Sequence, residues 1–246
     1  MKKIISFFLS VIILSASSFA TAKSGENWYF SSRGRNERPG LPTLDAKLGK
    51  GIGKDEKVLY LTFDAGYENG NVEKVVKTLR EEKVTGAFFV LKHFIEANPA
   101  LCKQIRADGN LLCNHTAKHP NITTLSPEEL EKELKDLEKT CLEICGKGLD
   151  PYFRPPEGAY SRESLEVVSR LGYRTVFWSL AWADWDNNNQ KSPEYAMEKL
   201  CSRVHNGAVI LLHPTSATNA EILDDFIREM KARGYRFGSL EELWEN

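Results

Sequence analysis

Two histidines, His115 and His119, stand four residues apart in the stretch HTAKH. On one helical turn this spacing directs both imidazoles at a common point, as a divalent metal site requires. A metal held by two neutral imidazoles needs further ligands, usually a carboxylate, and open positions for water and substrate. Such an ion polarises a carbonyl group and activates water. The pair therefore predicts metal-assisted hydrolysis, although two surface or capping histidines would show the same spacing.

Groups suited to proton transfer stand elsewhere in the chain. Asp64 ends the apolar run at residues 58–63, and His213 ends another run in the stretch LLHP. An ionised carboxylate can take a proton from an attacking water, and a histidine on the far side can donate one to the leaving group. Asp64 suits the first role and His213 the second. As alternatives, Asp64 could cap a helix and His213 could be a packed core residue.

The elements that must position these residues are alternating strands and helices. Strand-type apolar runs occur at about 58–63, 86–90, 110–114, 151–154, 174–180, 208–213 and 235–238. Helical patterns occur at about 71–82, 98–108, 127–145, 162–171, 193–205, 219–233 and 239–244. This repetition predicts an α/β fold with a parallel sheet covered by helices. Because no Gly-rich phosphate loop opens a helix, we expect a closed barrel rather than an open sheet, and no nucleotide cofactor.

Polar residues collect where the predicted strands end. The five that follow strands are Asp64, His115, Arg154, Asp184 and His213. In folds of this kind the carboxyl ends of the strands carry the chemistry. These side chains are therefore expected to meet at one end of the barrel.

Composition and the N-terminus limit which partners, disulfides and cellular location the sequence predicts. The 246 residues include 33 basic and 34 acidic side chains, so the charge predicts no nucleic-acid partner. Five cysteines, an odd number, give no complete disulfide framework. Lys2 and Lys3 precede an apolar run and an A-x-A pattern, which predicts export to the cell envelope or the exterior, with a retained membrane anchor as the alternative. The expected organisation is a signal peptide at 1–22, a lead at 23–56 and one catalytic domain at 57–246.

Five short motifs occur in order: TFDAG, HTAKH, RPPEGAY, WADW and LLHP. In this order they resemble the motifs of the polysaccharide deacetylases, the NodB-homology proteins of carbohydrate esterase family four, over about residues 57–243. The resemblance implies a distorted (β/α)7 barrel. It also implies metal-dependent removal of acetyl groups from glycans, with zinc as the expected ion.

The resemblance assigns acid–base roles to four residues. Asp64 falls on the catalytic base, and Arg154 falls on the arginine that orients it. His213 falls on the catalytic acid, and Asp184 falls on the aspartate that tunes this histidine.

The metal ligands implied by the resemblance are incomplete. His115 and His119 fall on the two metal histidines, but Ala65 stands where the family usually has a ligand aspartate. Alanine cannot bind a metal. Either Glu68, Asn69, a water or the substrate completes the shell, or metal binding is weak, or catalysis proceeds without a tightly bound metal.

The remaining candidates concern substrate binding. The backbone N–H of Glu157 falls where the family stabilises the tetrahedral oxyanion, and Glu157 itself replaces a tyrosine that is common there. Glycan contacts are expected from Glu157, Gly158, Tyr160, Trp182 and Trp185.

The stretches TFDAGYENGN, NWYF and FWSLAWADWD are similar to one subgroup, the N-acetylmuramic acid deacetylases that prepare spore-cortex peptidoglycan for muramic δ-lactam formation. This resemblance implies a sporulating Gram-positive source and peptidoglycan glycan strands as partner. A cation should then meet the lactyl carboxylate of muramic acid, and Arg162 and Lys118 are candidates. The alternatives are an N-acetylglucosamine deacetylase for chitin or peptidoglycan, and an inactive glycan-binding barrel in which Ala65 marks lost metal chemistry.

Overall fold

The computed structural model describes residues 25–29 and 37–245. The predicted signal peptide at 1–22 lies outside these residues, and the division into lead and catalytic domain stays a prediction. Within the described ranges, no helix has the length and apolar character needed to cross a membrane.

The described residues form ten strands and seven α-helices. The strands are β1 Glu26–Asn27, β2 Gly49–Lys50, β3 Val58–Ala65, β4 Gly86–Val90, β5 Leu111–Asn114, β6 Asp150–Phe153, β7 Ala159–Tyr160, β8 Arg174–Val176, β9 Ala208–Leu212 and β10 Arg236–Phe237. The helices are α1 Val72–Glu82, α2 Lys92–Ala97, α3 Pro99–Ala107, α4 Pro127–Cys145, α5 Arg162–Arg170, α6 Pro193–Arg203 and α7 Ala217–Ala232. Short 3₁₀ turns lie at Pro156–Gly158 and Leu240–Leu243.

The main sheet is parallel and follows the order β10–β3–β4–β5–β6–β8–β2, with β9 paired along β3. An isolated parallel bridge joins Leu180 to Ile210 of β9, so the segment after β8 meets the strand beside β3. All seven strands expected from the apolar runs are present. The α/β class is confirmed, and the arrangement is consistent with a distorted (β/α)7 barrel.

Strand β3 shows why one carboxylate reaches the end of the barrel. Its side chains alternate between two apolar clusters, because successive residues of a strand face opposite sides. Val58 and Tyr60 pack among residues of the other strands, whereas Phe63 and Ala65 pack with residues of the helices. Asp64 continues the even-numbered series that faces the barrel interior, so the strand delivers a single acid there.

The fifth predicted strand is shorter than expected. The apolar run predicts 174–180, but β8 ends at Val176. The Arg154 guanidinium donates from Nε to the carbonyl of Val176 at 3.0 Å and from Nη2 to the carbonyl of Phe177 at 3.2 Å. A side chain therefore takes the carbonyls that a neighbouring strand would use.

Two helices illustrate what local signals predict. Helix α4 begins as expected, because Ser126 Oγ accepts from the backbone of Glu129 at 3.2 Å and Glu129 Oε2 accepts from the backbone of Ser126 at 2.8 Å. Helix α2 was not expected. Pro99 stands at the start of α3 and separates it from α2, since proline has no N–H to continue a helix.

Candidate active site

A cleft of about 780 Å³ is lined by residues that follow the carboxyl ends of the strands. Eight of the residues expected from the sequence line it: Asp64, His115, His119, Glu157, Gly158, Trp182, Trp185 and His213. Arg154 and Asp184 are fully buried beside them. Tyr160 is not among the lining residues. Its hydroxyl donates to Glu26 at 3.0 Å and its ring packs edge-on against Phe177, so the structure does not bring it to the cleft.

Arg154 holds Asp64 in place through a buried network. It follows β6, and its Nη1 donates to Asp64 Oδ1 at 2.8 Å while Nη2 donates to Thr62 Oγ1 at 2.8 Å. The guanidinium also lies 4.3 Å from the ring centroid of Phe89, in cation–π contact. Burial alone would raise the pKa of Asp64, but the charge and hydrogen bond of Arg154 together with the nearby His115 and His213 outweigh it and hold that pKa below its usual value. The carboxylate is therefore ionised and available to accept a proton.

His115 is a neutral imidazole with one nitrogen fixed. Its Nδ1 lies 2.8 Å from the carbonyl of Arg154, which can only accept, so Nδ1 carries the hydrogen and donates. Burial lowers the pKa of His115 to about 4. The Nε2 lone pair is left free, 3.6 Å from Asp64 Oδ2. Metal-ligating histidines are oriented by the same kind of hydrogen bond.

His119 approaches His115 through a loop rather than the expected helical turn. The two ring centroids lie 4.9 Å apart at an interplanar angle of 74°. Thr116 and His119 have positive φ values of 69° and 60°, which bend the chain back on itself. Asn114 Oδ1 accepts from the backbone of Thr116 at 2.9 Å, and Thr116 Oγ1 accepts from that of His119 at 3.0 Å. Side-chain hydrogen bonds thus replace helical ones in bringing the imidazoles together.

The two imidazoles fit two positions of a metal shell, but the described residues provide no third protein ligand beside them. Ala65 is fully buried and offers no donor. Glu68 accepts from the backbone of Gly70, and Asn69 donates from Nδ2 to the carbonyl of Thr215 at 2.9 Å. In the described parts of the chain, no three His, Cys, Asp or Glu side chains are grouped to hold an ion. Neither Glu68 nor Asn69 lines the cleft.

The second acid–base pair lies across the cleft. Asp184 is 1% exposed, and its Oδ1 accepts from His213 Nδ1 at 2.8 Å. Its Oδ2 accepts from the backbone N–H of His213 at 2.8 Å and from Asn219 Nδ2 at 2.5 Å. Burial alone would lower the pKa of His213, but the hydrogen bond and charge of Asp184, together with the charge of Asp64, outweigh it and raise that pKa. With Nδ1 held, Nε2 is the nitrogen left for a substrate.

Some residues of the site could hardly be recognised from the sequence. Asn219 holds Asp184 and also accepts from Trp182 Nε1 at 3.2 Å. It lies in the first turn of α7 and is 1% exposed. Asparagine is a poor helix former, so its presence in a helical pattern was the available hint of another role. Tyr67 and Trp178 also line the cleft.

Neither proposed partner of a lactyl carboxylate lies in the cleft. Arg162 is paired with Glu166 at 3.0 Å on the exposed face of α5. Lys118 is exposed and is not a lining residue. The cleft lining, within the described residues, contains no lysine or arginine.

The family comparison agrees with the fold. Residues 51–176 match the model described as polysaccharide deacetylase. The chain belongs to this family, the NodB-homology proteins of carbohydrate esterase family four, and it is a hydrolase acting on amide bonds. Asp184 and His213 lie beyond the matched residues, so their assignment rests on the geometry above.

Individual relatives narrow the comparison. The chain is 41% identical over 226 residues to the peptidoglycan-N-acetylmuramic acid deacetylase PdaA of Bacillus subtilis, covering 88% of this chain and 85% of that protein. The solved structure of B. subtilis PdaA, described as a family 4 carbohydrate esterase, superposes with a TM-score of 0.86 at 39% identity and covers 91% of this chain and 98% of the other. A chitooligosaccharide deacetylase of Azorhizobium caulinodans is 33% identical over 162 residues, covering 66% and 76% of the two chains.

Proposed function

We propose that this chain is an exported peptidoglycan deacetylase that removes the acetyl group from N-acetylmuramic acid. Its product would be the free amine needed for muramic δ-lactam formation in spore cortex. The observation that carries the proposal is the cleft lined by both Asp64, which Arg154 holds at 2.8 Å, and His213, which Asp184 holds at 2.8 Å, with their pKa values shifted in opposite directions. A carboxylate and a histidine with such shifts, facing one substrate, are suited to act in turn as base and acid. The similarity to a muramic acid deacetylase over most of the chain supports the substrate.

In the first step Asp64 acts as the base. Its carboxylate takes a proton from a water molecule, whose oxygen attacks the acetyl carbonyl carbon. Arg154 keeps the carboxylate in position and does not compete for the proton, because a guanidinium stays protonated. Glu157, at φ 57° and ψ 5°, lines the cleft and turns the backbone there. Its N–H is proposed to donate to the oxygen that becomes negative during the attack.

In the second step His213 acts as the acid. Its Nε2 proton passes to the glycan nitrogen as the C–N bond breaks, which releases acetate and leaves an amine on the sugar. Asp184 stabilises the protonated imidazole and fixes its orientation through Nδ1. Asn219 and the backbone of His213 hold Asp184 in turn.

Deacetylases of this family are metal-dependent. In this chain His115 Nε2 and His119 would hold the ion, which we propose to be zinc, and water or substrate would occupy the positions that Ala65 leaves without a donor. When bound, the ion supplies Lewis-acid polarisation of the acetyl carbonyl.

One observation favours a second candidate. A muramic residue carries a lactyl carboxylate, yet no lysine or arginine lines the described cleft, and Glu157 adds an acid to it. N-acetylglucosamine has no such carboxylate and would fit without a cation. The chain would then be a deacetylase of N-acetylglucosamine in peptidoglycan or chitin.

The test is product analysis with the purified full chain. Spore-type peptidoglycan strands without peptide stems, and N-acetylglucosamine oligomers, are each incubated with and without added zinc and a chelator. Acetate and the sugar products are measured by mass spectrometry. Loss of one acetyl group per muramic residue supports the proposal, and loss from glucosamine alone supports the second candidate. Activity that survives the chelator would reject an exchangeable metal, and no acetate from either substrate would reject deacetylation of both.

A further inference from the structure

A short segment that is distant in sequence from the catalytic motifs lies against the active-site loops. Strand β1 pairs antiparallel with β7, in the register Glu26 with Tyr160 and Asn27 with Ala159. The next residue, Trp28, donates its backbone N–H to the carbonyl of Gly158 at 2.8 Å. This hydrogen-bond ladder therefore ends at the residue beside Glu157, whose N–H is proposed to face the oxyanion.

The ring of Trp28 is anchored on a second part of the site. It is 6% exposed and stacks on Phe177 with a centroid distance of 4.1 Å and an interplanar angle of 15°. Its indole Nε1 donates to the carbonyl of Trp178 at 2.7 Å. The carbonyl of Phe177 accepts from Arg154 Nη2 at 3.2 Å, and Arg154 holds Asp64. Trp28 thus holds the ring of Phe177, whose carbonyl accepts from Arg154, and the carbonyl of the next residue, Trp178.

Two glycines lie so close to Trp28 that a side chain at either position would collide with its neighbours. A Cβ atom at Gly51 would lie 2.4 Å from Cζ2 of Trp28. A Cβ atom at Gly158 would lie 3.1 Å from Cβ of Trp28 and 2.8 Å from the ring of Trp178. Gly158 also has a positive φ of 68°, next to the left-handed Glu157. Backbone of this kind persists where the surroundings hold it, and Trp28 supplies contacts on this side.

We propose that Trp28 is a positioning residue for the deacetylation. Through the β1 segment it fixes the Glu157–Gly158 turn, and through its ring it fixes the Phe177–Trp178 segment behind Arg154. Trp28 does not line the cleft. Its loss should therefore misplace the oxyanion donor and the base carboxylate without removing a substrate contact. This inference rests on the proposed function where it concerns rate, and on the structure alone where it concerns the two loop segments.

The kinetic test compares Trp28→Ala and Trp28→Phe with a matched tryptophan variant in the full chain. Trp244→Ala is the control, because Trp244 packs 5.8 Å from Tyr152 and near Arg174, the first residue of β8, and lies outside the cleft lining. Trp28→Ala should lower kcat on the order of tenfold to a hundredfold, as expected for misplaced groups, with KM changed by no more than about twofold. Trp28→Phe keeps the stack but loses the Nε1 donor, so its kcat should lie between that of Trp28→Ala and the wild type. Trp244→Ala should leave kcat unchanged even where it lowers the melting temperature.

A second measurement does not depend on activity. Amide hydrogen exchange of residues 155–160 and 176–178 should be faster in Trp28→Phe than in the wild type, and should not change in Trp244→Ala. Unchanged exchange in these segments overturns the inference whatever the enzyme acts on. A Trp28→Phe variant with wild-type kcat, or equal losses of kcat in the Trp28 and Trp244 variants, also overturns it. If the wild type releases no acetate from any glycan while exchange responds as expected, the proposed function fails and the positioning contact stands.

Discussion

Replacing Asp184 by asparagine tests whether the charge of this carboxylate prepares His213 as the acid. In the wild type, three N–H groups converge on Asp184: His213 Nδ1 at 2.8 Å, the backbone of His213 at 2.8 Å and Asn219 Nδ2 at 2.5 Å. Asparagine keeps the shape but removes the negative charge. It also places an NH₂ group where an oxygen accepted, so at least one buried donor loses its partner.

The size of the effect follows from these contacts. A hydrogen bond to a charged group contributes about 1.5–3 kcal/mol, and one pKa unit corresponds to about 1.4 kcal/mol. Loss of the charge should therefore lower the pKa of His213 by about one to two units. The pKa of His213 is raised above its usual value of 6.5 in the folded wild type, because Asp184, with a contribution from the charge of Asp64, more than offsets burial. An acid acts in its protonated form, so the wild-type rate falls as pH rises through this raised pKa, and in the variant the fall moves to lower pH.

The raised pKa of His213 also predicts how the stability lost in Asp184→Asn depends on pH. A histidine whose folded pKa is raised stabilises the fold fully below its unfolded pKa of about 6.5, and this contribution is lost as pH rises through the folded pKa. The difference in melting temperature between the wild type and Asp184→Asn should therefore be largest at acid pH and narrow above the folded pKa of His213. A smaller difference remains at high pH from the buried donor without a partner, which costs about 1–3 kcal/mol.

The assay is the pH profile of kcat for acetate release between about pH 5 and pH 9. Glu138→Gln is a matched carboxylate-to-amide control, because Glu138 is partly buried, accepts from Tyr173 at 2.9 Å and lies outside the cleft lining. Asp184→Asn should shift the alkaline limb to lower pH and reduce kcat on the order of tenfold to a hundredfold near neutral pH. Glu138→Gln should leave the limb where it is. An unshifted limb in Asp184→Asn would refute the tuning role.

Three further variants test the base, the metal shell and the cleft rim. Asp64→Asn should lower kcat by on the order of 10²-fold or more while circular dichroism stays native; substantial remaining turnover would remove Asp64 from the base role. Ala65→Asp should leave zinc affinity unchanged in calorimetry and lower the melting temperature, because Ala65 packs in the apolar cluster on the helix side of β3; tighter zinc binding would show that this position faces the ion instead. Trp185 is 64% exposed at the cleft, so Trp185→Ala should raise KM about threefold to tenfold through lost ring contact, and a change in kcat alone would contradict a binding role.

The parts of the fold that could be predicted are those with a strong local pattern. Parallel strands buried on both faces read as continuous apolar runs, so β3 and β9 were predicted to within a few residues. Chemistry at the carboxyl ends of strands then placed Asp64 and His213 in one region, and both line the cleft. Helix α4 was predicted because its capping box and proline lie together in the sequence.

The parts that could not be predicted depend on contacts between distant residues. The loop of His115 and His119 has positive φ values and side-chain hydrogen bonds that a spacing of four does not reveal. At the end of β8, Arg154, which follows β6, takes the carbonyl of Val176. Strand β1 is two residues long, so it has no periodicity to detect, and its position is set by pairing with β7.

The two aspartates of the site show how a partner decides a role. Asp64 bonds to Arg154, a permanent cation, so no proton can pass between them and the carboxylate remains an acceptor for water. Asp184 bonds to His213, a group that titrates near neutrality, so its charge is used to hold a proton on the imidazole. Both carboxylates are largely buried, and a buried charge is stable where it is paired and hydrogen-bonded. The chemical identity of the paired cation therefore separates the base from the residue that tunes the acid.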